Sequence, residues 1–273
     1  MRPPGATNRW TTAATLPIVG AHGPAADLGR RVRPALRHSG HRHVRTRGPR
    51  AAVDRLAELA DGGRALEFAV GTGRVAVPLA ARGVPVTGVE LSRPMLDRLR
   101  TKADETAIPV VVGDMATARA PGEYTLVYLV YNTIANLLTQ AEQVACFRNA
   151  ARHLGPGGRF VIELWVPELR RLPPGQEATV WNSEPGYIGL DTYDVLRQYV
   201  VSHHFTFDES GRRARLDRTP HRYIWPAELD LMAQLAGFGL ESRHADWTGS
   251  AFTAESRSHV SVYRLPEPGA RTP

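Results

Sequence analysis

Three apolar runs between residues 65 and 115 each carry an acid at or near their end, and the first breaks into a glycine-rich turn. They read Ala65-Leu66-Glu67-Phe68-Ala69-Val70-Gly71-Thr72-Gly73, then Pro85-Val86-Thr87-Gly88-Val89-Glu90, then Val110-Val111-Val112-Gly113-Asp114-Met115. Short apolar runs alternating with helical patterns predict buried parallel strands joined by crossover helices. The resulting open α/β sheet carries Glu67, Glu90 and Asp114 along one edge. Ligands of such sheets sit beyond the carboxyl ends of the strands, where the strand order reverses. A glycine-rich crevice lined with acids suits a small cation that carries hydroxyls and an adenine. S-adenosylmethionine (AdoMet) meets that description.

A rival occupant has to be weighed. Gly71-x-Gly73-x-x-Ala76 also satisfies the dinucleotide fingerprint, with Glu90 as the downstream acid, so an NAD(P)-dependent oxidoreductase is the alternative enzyme. A dinucleotide lays its anionic pyrophosphate over this turn, where backbone N–H groups and the helix dipole favour negative charge. Glu67, just upstream, opposes an anion there and favours the sulfonium and ammonium of AdoMet.

The three runs resemble the class I AdoMet-dependent methyltransferases over residues 52–265. The family's first motif is acid-x-Gly-x-Gly-x-Gly, and here it reads Glu67-x-Ala69-x-Gly71-x-Gly73, with Ala69 replacing the first glycine. Alanine still leaves room for close approach of the cofactor. The resemblance implies that Glu67 helps hold the methionine ammonium and that Glu90 binds the ribose hydroxyls. Asp114 would then bond the adenine amino group, and Met95 would pack on the adenine face. Leu91, Gly113, Met115 and Tyr131 complete the expected cofactor contacts. The helix over 140–154, Gly155-Pro156-Gly157-Gly158 and the apolar run Arg159–Val166 also resemble the family. The implied fold is Rossmann-like and doubly wound: a mostly parallel seven-stranded sheet whose antiparallel edge comes from Leu240–Trp247 and His259–Leu265.

Elsewhere the pattern predicts helices over 52–60, ending at Gly62-Gly63, over 75–81, and over 93–102 with Ser92 as N-cap. Tyr124–Tyr131 is a near-continuous apolar run, as a central parallel strand requires. From 167 to about 225 the pattern changes to an insertion. There Leu190–Phe207 and Arg212–Trp225 flank Asp208-Glu209-Ser210-Gly211 and read as an antiparallel hairpin. In small-molecule members of the family such a cap roofs the substrate site.

Methyl transfer needs alignment of acceptor and methyl, and a hydroxyl acceptor also needs a base. The acceptor is expected beyond Tyr131-Asn132-Thr133. The (Asp/Asn)-Pro-Pro-(Tyr/Phe) motif of adenine N6 methylases is missing there, which argues against base methylation. His203 and His204 are the candidate bases for a hydroxyl, with Tyr131 as the alternative proton acceptor. Adjacent strand residues face opposite ways, so at most one of the two histidines points inward, and His204 is taken as that one. Asn132, Trp165, Arg222 and Tyr223 are candidate substrate contacts, Arg222 for a carboxylate or phosphate. Structural roles stand beside each: a hydrogen-bonded histidine, a core tryptophan, a solvated arginine. No histidine–cysteine cluster has metal-ligand spacing, so no metal is expected.

The expected activity is transfer of a methyl group from AdoMet to a small-molecule acceptor, on oxygen or nitrogen. The net charge of +7 is concentrated at the start. Residues 1–50 hold ten arginines against Asp27 alone, and the remainder, the methyltransferase domain at 51–273, is on balance acidic. The first 50 residues lack apolar periodicity and read as a disordered basic arm, a nucleic-acid arm, or a frame or start-site artefact. With Trp10 as its one aromatic, the arm offers little base stacking, which argues against a nucleic-acid partner. A non-catalytic AdoMet-binding or RNA-associated protein is the third reading. Cys146 is alone, and no apolar stretch reaches the ~18–20 residues of a membrane span, so the expected location is cytoplasmic, without a membrane partner.

Overall fold

The computed structural model describes residues 49–267. The expectations for residues 1–48 lie outside these residues, and Pro49 and Arg50 open the first helix rather than closing an arm. In chain order the main sheet and its helices are α1 (Pro49–Ala60), β1 (Ala65–Phe68), α2 (Ala76–Ala80), β2 (Val86–Glu90), α3 (Arg93–Arg100), β3 (Val110–Val112), β4 (Tyr124–Leu129), α4 (Gln140–Ala151) and β5 (Leu154–Trp165). The insertion supplies β6 (Ala178–Glu184), β7 (Tyr187–Asp194), β8 (Tyr199–Phe207) and β9 (Ala214–Arg222). The chain returns through α5 (Pro226–Leu235), β10 (Gly239–His244) and β11 (Ser258–Arg264).

The seven-stranded sheet runs β10-β11-β5-β4-β1-β2-β3, and β11 alone is reversed, antiparallel to both of its neighbours, β5 and β10. The chain moves outward from β1 through β2 to β3, then crosses back to β4 on the other side of β1. That reversal opens the crevice at the carboxyl ends of β1 and β4. Side-chain alternation divides the core between the two sheet faces. Leu126 and Tyr128 of β4 pack with Leu56, Leu79 and Leu99 from α1, α2 and α3. Val127 and Leu129 pack with Phe147, Leu229 and Met232 from α4 and α5.

Two local expectations change. Ser92 stands at the N-cap of α3 in extended conformation, but its side chain makes no cap bond. The Thr139 hydroxyl does cap α4, accepting from the Glu142 N–H at 3.1 Å while the Glu142 carboxylate accepts from the Thr139 N–H at 3.0 Å. Gly155–Gly158, read as a stop, forms the irregular start of β5, with a register shift opposite Tyr124–Leu126.

The expected hairpin is β8–β9, and it belongs to a wider four-stranded meander, β6-β7-β8-β9. The run over 190–207 divides at a turn between Asp194 and Tyr199, where the Asp194 carboxylate accepts from the Arg197 N–H at 3.0 Å. The Trp181 ring crosses Gly189, where an added Cβ would stand 2.4 Å from the indole. Among the described residues, no helix is long and apolar enough to cross a membrane.

Candidate cofactor and acceptor site

Glu67 is buried in β1, 3% exposed, and its register partner on β4 is Tyr128. The Tyr128 hydroxyl donates to Glu67 Oε2 at 2.9 Å. Burial pushes the Glu67 carboxyl up to about 8, against the pull of Tyr128, the Ala76 N–H and Arg74. A cation arriving in the crevice would shift this acid toward its carboxylate form.

Glu90 ends β2 and ties two loops together. Its Oε2 accepts from the Gly71 N–H at 2.8 Å, and its Oε1 accepts from the Ser92 N–H at 2.7 Å. Each oxygen keeps a second lone pair for a hydroxyl donor. The Glu90 carbonyl accepts from the Gly113 N–H at 3.0 Å, which links the ends of β2 and β3. Asp114 follows, with Oδ1 accepting from the Ala116 N–H at 2.9 Å. Leu91 is exposed and Met95 half-buried, so both can offer apolar surface beside Glu90. Met115 is different: its side chain is packed in the core and its carbonyl accepts from Asn149 Nδ2 at 2.9 Å. Any Met115 contact with the cofactor would therefore run through its backbone rather than its side chain.

The turn after β1 bends through Ala69, Gly71 and Gly73, all at positive φ. Gly73 has φ +74°, and a Cβ there would stand 2.3 Å from Leu99 Cδ1, so α3 packs directly on this backbone. Ala69 has φ 54°, a conformation that costs a residue with a Cβ about 1–2 kcal/mol. The alanine therefore carries strain where the family places glycine. Ala69→Gly is expected to stabilise the protein by about 1 kcal/mol, read as a rise in the denaturant midpoint at constant slope. An unchanged or lowered midpoint would mean the turn is not strained. Lys102 braces the same turn from outside, its Nζ donating to the Thr72 carbonyl at 2.8 Å.

Opposite this turn, Tyr131 and Asn132 follow β4 in consecutive left-handed conformations, φ 55° and 62°. The Tyr131 N–H donates to Glu163 Oε2 at 2.9 Å, and Asn132 Oδ1 accepts from the Trp165 N–H at 2.8 Å. The Arg74 guanidinium lies over the Tyr131 ring, 3.3 Å from its centre. Tyr131, Asn132 and Trp165 thus meet at one edge of the crevice.

On the meander, Trp165 meets His221 edge-on with ring centres 6.0 Å apart. His221 pairs with Val200, and the buried residues of β8 are Val200, Ser202 and His204. His204 therefore shares the His221 face, with its Nδ1 2.6 Å from the Tyr187 hydroxyl. His203 points the other way, with Nε2 3.0 Å from Thr192 Oγ1 and Nδ1 accepting from Arg218. Burial lowers the pKa of both imidazoles.

Arg222 corrects another expectation. It is neither solvated nor presented to an acceptor. Buried at 6% exposure, its guanidinium donates to Gln143 Oε1 at 2.6 Å, Gln198 Oε1 at 2.9 Å and Glu228 Oε1 at 2.7 Å. Those bonds fasten β9 to α4 and α5. Tyr223 is likewise buried, packed between Tyr193 and Trp225. Among the described residues, no group of three histidine, cysteine or acidic side chains is placed to hold a metal ion.

Sequence reasoning overlooked Tyr128, Arg74 and Trp247, and left Glu163 without a role. Their parts depend on strand register and loop path, which single-sequence patterns do not encode.

Comparison with known proteins decides between the cofactor readings. A family model described as a methyltransferase domain matches residues 65–158. The CcbJ methyltransferase from Streptomyces caelestis is 42% identical, the match covering 80% of this chain and 89% of that one, with a TM-score of 0.72. The chain belongs to the class I AdoMet-dependent methyltransferases. Its methyl donor is AdoMet, which sets the oxidoreductase reading aside. Cypemycin N-terminal methyltransferase from a Streptomyces species is 28% identical over 74% of this chain and 83% of that protein. The dTDP-3-amino-3,4,6-trideoxy-alpha-D-glucopyranose N,N-dimethyltransferase of Streptomyces venezuelae is 31% identical over 38% of this methyltransferase and 43% of its own length.

Proposed function

We propose that this enzyme methylates an amine of a small biosynthetic acceptor, and that the AdoMet site is the crevice built by Glu67, Ala69, Gly71, Gly73, Glu90, Leu91, Met95, Gly113, Asp114 and Tyr131. The observation that carries the placement is the Glu90 carboxylate, fixed by Gly71 and Ser92 with one lone pair left on each oxygen for a ribose hydroxyl. Bound AdoMet supplies a methyl carbon already activated by its sulfonium. Glu67 holds the methionine ammonium, and Asp114 accepts from the adenine amino group. Met95 and Leu91 cover the adenine face.

Acceptor and methyl have to be aligned and shielded from water, which is worth about 7–11 kcal/mol when the geometry is met. Asn132 and Trp165 wall the acceptor side, and the meander roofs it. Two relatives named for amine methylation support nitrogen as the acceptor atom. An amine need only lose its own proton, so the demand on a base is small. His204 is the roof group suited to take that proton, since burial keeps its imidazole neutral.

The test is a labelled-AdoMet assay on matched pairs: amino and hydroxy forms of a sugar nucleotide, and peptides with free or acetylated N-termini. Methyl transfer to the amines alone is the expected result, with His204→Ala lowering kcat less than about ten-fold against the 10²–10⁴ typical of losing an essential base. Transfer to the hydroxy forms alone would overturn the nitrogen assignment.

A further inference from the structure

The end of β4 is strained, and the strain has an identifiable restraint. Two successive residues with side chains, Tyr131 at φ 55° and Asn132 at φ 62°, adopt the left-handed conformation. Such residues cost about 1–3 kcal/mol each and persist only where surrounding structure over-determines them. Here the surroundings converge on one residue. Glu163 sits in β5 at 5% exposure, and its carboxylate accepts from the Tyr131 N–H at 2.9 Å while its carbonyl accepts from the Asn132 N–H at 3.2 Å. The indole N–H of Trp247, itself buried, faces the same carboxylate from the loop after β10.

We propose that Glu163, oriented by Trp247, is the positioning residue that fixes Tyr131 against the methionine arm of AdoMet. A buried carboxylate is costly unless it is used, and here burial pushes its pKa up while the Tyr131 N–H, Trp247 and Arg74 pull it down. An apolar residue would fill a strand interior more cheaply. What the carboxylate adds is an acceptor aimed at one backbone N–H of the strained pair. That bond sets the direction in which the Tyr131 ring leaves the chain, and Arg74 then stacks on the ring. The turn that carries Tyr131 thus hangs from β5 and the β10–β11 loop as well as from β4.

The inference rests on the reading that Tyr131 lines the methionine end of the cofactor site. Two probes separate the ends of that site: AdoMet, which has the methionine arm, and adenosine, which lacks it. Calorimetry on Glu163→Ala is expected to show AdoMet bound about 5–20-fold more weakly, with adenosine affinity within two-fold of the parent. Glu163→Gln retains an oxygen for the Tyr131 N–H and should recover most of the loss. Trp247→Phe should shift AdoMet in the same direction by a smaller factor, and it carries the test together with Glu163→Gln if Glu163→Ala fails to fold. Tyr131→Ala should reproduce the split between the two probes. If Tyr131→Ala shows the split and the Glu163 and Trp247 variants do not, positioning is overturned. Equal losses for both probes in the Glu163 variants would also overturn it, by reducing Glu163 to general scaffolding. Unchanged AdoMet binding in Tyr131→Ala would remove the reading on which the inference stands.

Discussion

Glu90→Ala is expected to weaken AdoMet binding by about 2–4 kcal/mol, the scale of charge-assisted hydrogen bonds lost from a partly buried site. The substitution acts twice. It removes the proposed acceptor for the ribose hydroxyls, and it releases the Gly71 and Ser92 N–H groups that hold the first turn against the second. Calorimetry with AdoMet and with adenosine measures the effect, and both ligands should weaken because both carry the ribose. A melting scan of the ligand-free variant reports the loop contribution separately. Parent-like affinity for both ligands would show that the ribose lies elsewhere and that the crevice is misassigned.

Replacing Glu67 should change how stability depends on pH. The folded protein holds the Glu67 proton up to about pH 8, whereas the unfolded chain releases it near 4.5. The folded state therefore binds the proton more tightly, and its contribution is fully present below pH 4.5. Stability falls as pH rises from 4.5 through 8, by about 3–5 kcal/mol over the window. Glu67→Gln, neutral throughout, should lack that component when denaturant midpoints are compared from pH 5 to 8. An identical slope in the two proteins would mean the carboxyl is already ionised at pH 5. The same proton links to the cofactor. An ammonium beside Glu67 favours the carboxylate, so AdoMet binding between pH 6 and 7 should release a proton and tighten with rising pH. Titrations in buffers of different ionisation enthalpy count it.

The parallel half of the fold was legible in the sequence because β1, β2 and β3 are short apolar runs with an acid at or near their carboxyl ends and β4 is a near-continuous apolar run. Position along the chain thereby fixes position along the sheet edge, and Glu67, Glu90 and Asp114 follow. Pairings across the sheet were not legible. Tyr128 reaches Glu67 only through the register of β1 against β4, a relation between residues far apart in sequence. Arg222 looked like an edge residue because its partners come from α4, from α5 and from Gln198 in the β7–β8 turn. β6 escaped notice because Ala178–Glu184 is largely polar and lies in a segment punctuated by proline and glycine. The left-handed pair at Tyr131 and Asn132 has no glycine to announce it. The residue that bonds both N–H groups of the pair, Glu163, stands thirty-odd residues downstream.

Lys102 has a practical consequence. It is the one lysine in a chain with 34 basic residues, and it stands on the outer wall of the cofactor turn with its amine on the Thr72 carbonyl. Side-chain acylation therefore has a single address, and that address touches the turn proposed to receive the donor. With the terminal α-amine blocked, a fluorophore installed there would give a homogeneous conjugate without mutagenesis, at the cost of the ammonium that braces Thr72. Arginine everywhere else, whose guanidinium stays charged and resists acylating reagents, is what makes the labelling selective.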